Sequence, residues 1–206
     1  MNHKSIDINQ RIPLDTLYAA LESYLNGNYS EEYIMQQLRL EFKGENRLKK
    51  SLRIVNKIIL RNPLIEFIEE KKQSIKQAIK KKHDRNLILI SLLNSSFAFS
   101  FDTLQILGKY LSVQDLVNTE TIKKLLSNKY GGNRATENAL YSVIPMFIEA
   151  GLIKRPSLGV YQYNADFQIS TGVSKQIFIE SFKKNSSLDG IQDYQLREPY
   201  FMFLNN

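Results

Sequence analysis

The sequence predicts a mainly α protein: an N-terminal helical bundle followed by a winged helix-turn-helix with a small β-hairpin. Three observations lead there. Only 9 Gly and 5 Pro interrupt a 206-residue chain rich in Leu, Ile, Lys and Glu. Apolar residues recur at helical spacing through the first half. The second half then orders helix, helix, short turn, helix and a pair of short β-prone runs. With 43% hydrophobic residues, 11 Tyr and 11 Phe, the chain can bury real cores.

Leu14, Leu17, Tyr18, Leu21 and Leu25 form a helical stripe behind Pro13, whose ring suits a first turn, and Asn26-Gly27-Asn28 ends it. Ser30 can cap the next helix, with Glu31 and Glu32 near its positive end. That helix continues through Tyr33, Ile34, Gln37 and Leu38 toward Gly44.

Residues 45–61, "ENRLKKSLRIVNKIILR", are the clearest amphipathic segment. Leu48, Leu52, Val55 and Ile59 share one face. At about 100° per residue, Lys50, Arg53, Lys57 and Arg61 fall opposite. Asn62-Pro63 breaks the helix, because proline disfavours helical geometry in the residue before it. A long helix from Leu64 to Lys82 is expected next, with Leu64, Ile68, Ile75 and Ile79 inward and the cations of "IKKKHDR" at its C-terminus. Asp84 is expected to cap a buried helix through Leu93, and another helix runs from Asp102 to Leu111.

The composition shifts near Ser95 to Ser100, which sets the expected domains: 1–97, a helical domain with a basic surface; 98–165, the winged helix-turn-helix; and 166–206, a C-terminal extension. In the second domain Thr119 is the expected cap of a helix that Gly131 stops. The polar turn "GGNR" leads into a helix with Ala139, Leu140, Val143, Ile144, Phe147 and Ile148 apolar. "LIKRPSLGVYQY" reads as strand, turn and strand. In the extension, 174–185 reads as a helix and "PYFMFL" (199–204) as a β-prone docking segment.

Charge concentrates upstream. Between Lys43 and Arg85 stand 14 Lys and Arg against 5 Asp and Glu, a net of +9, whereas the whole chain carries +7. A basic zone on a near-neutral body attracts polyanions. It also suits a plainly solvated helix surface.

In a helix-turn-helix pair, the second helix presents its N-terminal side chains to the major groove. Arg134, Asn138 and Tyr141 lie on a face turned from the apolar stripe, with Thr136 and Ser142 near it. Arg pairs with guanine, Asn with adenine, and hydroxyls with phosphate. Lys154 and Arg155 begin the wing, where cations meet the backbone. Glu137 opposes this, since it repels phosphate. Pro145 removes a backbone donor late in the helix, and packing is the reading preferred for it.

Catalysis finds no footing in these residues. The histidines, His3 and His83, assemble into no metal cage or catalytic triad. Gly131-Gly132 lacks the Gly-Lys-Ser/Thr of a phosphate-binding loop, and Glu69 and Glu70 with Lys71 and Lys72 fall on a helix as surface pairs. The absence of Cys excludes disulfides and cysteine-ligated metals and fits a reducing cytoplasm. "MNHKSIDINQR" lacks the apolar run of a signal peptide, and "LILISLL" (87–93) is far short of the ~20 residues a membrane span needs. A cytoplasmic protein without cofactor or metal is expected.

With this order of elements the chain resembles the BrxA family, small accessory proteins of BREX bacteriophage-exclusion systems. The resemblance covers the helical region 14–93, with "LRIVNKIILRNPLIEFI", and the winged-helix part, with "RATENALYSVIPMFIEAGLI". It implies an N-terminal bundle similar to RNA-binding bundles of the NusB kind, double-stranded DNA binding without known catalysis, and a role in host defence beside methyltransferase and ATPase partners. No family motif carries site residues across, so those named above come from helical geometry. Two other readings stay open: a scaffold that uses the winged helix to dock or dimerise, and a winged-helix transcription regulator.

Overall fold

The computed structural model describes residues 4–188 and 192–204; His3 lies outside them. Helices α1 (Leu14–Asn26), α2 (Glu31–Glu41), α3 (Glu45–Ile59), α4 (Ile65–Glu70), α5 (Lys72–Ala78) and α6 (Lys82–Ser96) come first. Then follow α7 (Ala98–Leu111), β1 (Leu116–Asn118), α8 (Thr119–Tyr130), α9 (Arg134–Ala150), β2 (Ile153–Ser157), β3 (Val160–Tyr163) and α10 (Gly172–Ser186). Two 3₁₀ segments, Asp193–Arg197 and Pro199–Leu204, end the described chain. The protein is mainly helical with one small antiparallel sheet.

Helix α6 is the axis of the molecule. From Leu87 to Leu93 every side chain is buried, as expected of a helix that is apolar on all sides. Helices α1, α3, α7, α9 and α10 all pack against it. One continuous apolar cluster therefore runs from Ile8 to Phe203. The expected boundary near 95–100 falls at the break between α6 and α7, where Ser95, Ser96 and Ser100 are buried. There Asn94 Nδ2 donates to the Tyr200 hydroxyl at 2.8 Å, and Ser100 Oγ donates to Asn94 Oδ1 at 2.6 Å. Polar residues that look like a linker in sequence are here the hydrogen-bonded interior of a helix junction.

Asn62 has a similar role. Its amide donates to the carbonyls of Ile58 (2.7 Å) and Leu92 (2.9 Å), and its Oδ1 accepts from the Leu64 N–H at 2.9 Å. The break after α3 is thus a buried polar plug between α3 and α6.

Several expected elements differ. The helix from 64 to 82 is interrupted at Lys71 and ends at Ala78, although Ile68, Ile75 and Ile79 are buried as the stripe requires. Asp84 does not start α6. It lies inside the first turn of that helix and accepts from the backbone N–H of Thr171 at 2.9 Å and from the Thr171 hydroxyl at 2.7 Å. It therefore satisfies donors at the start of α10, distant in sequence. Asp102 likewise sits within α7, and Asn118, whose side chain accepts from the Thr121 N–H, caps α8 in place of Thr119. "PYFMFL" is a 3₁₀ segment with Tyr200, Phe201 and Phe203 buried, not a strand. Its aromatic side chains dock onto α7 and α10, with the Phe203 ring also 6.0 Å from that of Tyr163 in β3, and this packing outweighs its β-propensity.

The sheet contains one strand more than the expected hairpin. Its order is β1-β3-β2, with Val117 opposite Tyr161 and Lys154 opposite Gln162. Three residues are too short for β1 to show alternation in sequence.

Candidate nucleic-acid interface

Helix α9 begins at a compact turn. Gly131 ends α8 at φ 87°, and Asn133 caps α9 by accepting from the N–H of Ala135 (3.0 Å) and Thr136 (3.2 Å). The inner face of α9 carries Ala139, Leu140, Val143, Met146, Phe147 and Ala150 into the core. Its outer face exposes Arg134, Asn138 and, at 59%, Tyr141 in one stripe. The three side chains singled out from helical spacing thus share one solvent-facing surface.

Ser142 is different. It is buried, and its Oγ donates to the Asn138 carbonyl at 2.7 Å. Back-bonding to the helix uses the hydroxyl that was expected to meet a phosphate.

Pro145 is placed on the outer face, partly exposed, in line with Arg134 and Asn138. The missing N–H leaves the Tyr141 carbonyl, one turn earlier, without its helical donor. Because both sit toward solvent, water can serve that carbonyl. Pro145 is thus half-buried at the surface of α9. It lines a cleft of ≈ 330 Å³ between α9 and the β2–β3 hairpin, together with Tyr141, Ile148, Arg155, Leu158 and Tyr161.

The charges around this face are specific. Glu137, expected to oppose an anion, pairs with Lys123 of α8 at 2.5 Å, and Lys123 also lies 3.9 Å from Glu120. The hydrogen bond to Glu137 raises the Lys123 ammonium above its ordinary value, so it stays charged. Lys154 pairs with Asp166 at 2.6 Å, across an exposed surface. Arg155 is exposed and has no ion pair among the described residues. Of these two β2 cations, only Arg155 is without an ion pair among the described residues.

On α3, Lys50 and Arg53 are exposed and unpaired among the described residues, as is Arg61 just beyond its end. Lys57 is engaged: it pairs with Asp7 at 2.6 Å and lies 4.3 Å from the centre of the Phe97 ring. Lys49, exposed one turn before Arg53, completes this surface. Its i, i+4 spacing from Arg53 was the available signal.

An N-terminal strap links the two basic regions. The Lys4 N–H donates to the Lys129 carbonyl at 2.9 Å, Asp7 holds Lys57, and Arg11 pairs with Glu149 near the end of α9 at 2.7 Å. At its start lies a buried node. Asp102 Oδ1 accepts from Lys129 at 2.8 Å, and Oδ2 accepts from Tyr130 at 2.7 Å and Lys4 at 3.0 Å. Burial pushes the Asp102 carboxyl up, but these three donors outweigh it and hold it below the usual carboxylate range.

Among the described residues no group of three or more His, Asp and Glu is placed to hold a metal ion, and no helix is long and apolar enough to cross a membrane. No family model, curated protein or solved structure matches the chain.

Proposed function

We propose that residues 98–165 form a winged helix-turn-helix and that the protein binds double-stranded DNA without catalysing a reaction on it. The order α7, β1, α8, α9, β2, β3, with β3 central in the sheet, supports the fold reading. The observation that carries the DNA reading is the exposed stripe of Arg134, Asn138 and Tyr141 on α9, with unpaired Arg155 across the adjoining cleft. Arg134 and Asn138 supply donors and acceptors for base edges, Tyr141 supplies a hydroxyl, and Arg155 supplies a phosphate or minor-groove contact. Lys49, Lys50, Arg53 and Arg61 add a sequence-independent phosphate surface. Lys154 and Lys57 contribute less, because each is already paired with a carboxylate. The setting, an accessory role in bacterial phage exclusion beside other defence proteins, rests on the resemblance to the BrxA family alone.

Titration of a fluorescent duplex at several salt concentrations tests the reading. Log K should fall against log salt with a slope of about −0.9 per phosphate neutralised. Affinity unchanged from low to moderate salt overturns the electrostatic model.

A second reading draws on the apolar part of the cleft. Ile144, Pro145, Ile148, Leu158 and Tyr161 line it, as a protein partner would require. Absence of duplex binding at low salt would favour this docking role.

A further inference from the structure

The hairpin between β2 and β3 carries an apolar side chain where a solvated turn needs none. Leu158 is 87% exposed, more than any other large apolar residue among those described. It occupies the tip, between Ser157 and Gly159, whose φ of 73° forms the turn. A single exposed leucine is ordinary on a protein surface. Three features set this one apart.

The tip is braced. The Thr119 N–H donates to the Gly159 carbonyl at 2.8 Å, its hydroxyl donates to the same oxygen at 3.0 Å, and that hydroxyl also reaches Tyr161 at 3.1 Å. The start of α8 thus holds the loop from behind. The edge strand beside it is closed to another strand, because a register shift between Lys154 and Ser157 brackets Pro156, which has no N–H to donate. Exposed Arg155 precedes the tip, and Arg155, Leu158 and Tyr141 all line one cleft, so the tip stands beside the outer face of α9.

We propose that this tip is a minor-groove wedge: Leu158 enters a base step, Arg155 occupies the adjoining groove, and the bound duplex is kinked. The inference rests on the DNA reading above and adds a consequence that reading does not require. Apolar wedges of this kind unstack a step and kink the duplex by about 20–90°. The cost of unstacking is lowest at flexible pyrimidine–purine steps, so those steps are the preferred seat.

The test uses the full chain and a duplex of about 25 base pairs with a central TA step, labelled at both ends for energy transfer; a duplex of that length is short against the ≈ 50 nm persistence length and stays straight when free. Wild type should raise transfer on binding. Leu158→Ser should bind, by anisotropy, yet lose the rise, and Leu158→Phe should restore it. Because the side chain packs against almost nothing, both variants keep the fold, which circular dichroism checks. Binding by wild type with no change in transfer overturns the wedge and leaves the DNA reading standing, as does a full rise with Leu158→Ser. No binding by wild type at low salt overturns both.

Discussion

Lys123 of α8 pairs with Glu137 of α9 at 2.5 Å, so a carboxylate on the candidate reading helix is held by a cation from the helix before it. Both groups lie at the surface, where such a pair adds little to stability. Its effect falls on the field that an approaching anion meets. Glu137→Gln removes a negative charge from α9 and leaves Lys123 with Glu120 as its one carboxylate neighbour among the described residues. Duplex affinity should rise several-fold at low salt, with the gain shrinking as the Debye length contracts from about 30 Å at 0.01 M to about 8 Å at 0.15 M. Anisotropy titrations at both salts measure this, and an unchanged affinity at the lower salt would place Glu137 outside the interface.

The basic face of α3 and the outer face of α9 should behave differently. Reversing Lys50 and Arg53 to Glu should weaken binding to every sequence alike and flatten the salt dependence by about 0.9 for each phosphate that is no longer neutralised. Arg134→Ala should instead alter preference among sequences, by about 1–3 kcal/mol at the base it reads. Selection from a random duplex pool separates the two effects. A shift in preferred sequence from the α3 variant would show that the faces are assigned the wrong way round.

Asp102 ties the strap to α7 and α8, and its folded value lies below the ordinary one. A depressed carboxyl stabilises the folded state above the unfolded value of about 3.9, and that stability is lost as pH falls through the folded value. Asp102→Asn should cost about 1–3 kcal/mol near neutrality, toward the lower end because both lysines are half-exposed. The gap between wild type and variant should close as pH drops below about 4. Urea denaturation across pH reads both; a gap of constant size would mean that charge plays no part.

Gly108 is required by close approach. A Cβ there would overlap the Pro199 carbonyl oxygen and lie 2.7 Å from its carbon, both backbone atoms that cannot swing aside. Gly108→Ala should therefore lift the 3₁₀ segment that inserts Tyr200 and Phe203. Overpacking of this kind costs about 1–3 kcal/mol, and the C-terminal segment should become sensitive to protease before the rest of the chain. Cleavage kinetics and the thermal midpoint check this, and a wild-type digestion pattern would argue against the docking described.

The helical content, the outer stripe of α9 and the basic face of α3 were legible because each depends on periodicity within one segment. A 3.6-residue repeat sorts side chains by face before any partner is present. Arg134, Asn138 and Tyr141 were placed together by that rule alone, as were Lys50 and Arg53. The rule orders residues around an axis, and it is silent about what lies against them.

The misplaced residues are those whose partners are distant in the chain or hidden within the helix itself. Asp84 resembles a local cap but serves Thr171; Ser142 resembles a free hydroxyl but bonds within its helix; Lys57 resembles a free cation but faces Asp7 and Phe97. "PYFMFL" has a strand's composition, yet adopts 3₁₀ turns because its aromatic rings dock on residues distant in the chain, Phe178 and Phe182 of α10 among them. By itself, then, the sequence determined which faces are apolar and which are charged, since covalent spacing and helical pitch are local. Only the tertiary structure decided which charges remain free and where the β2–β3 tip stands, since hydrogen bonds and ion pairs form between whichever groups the packed core brings within reach.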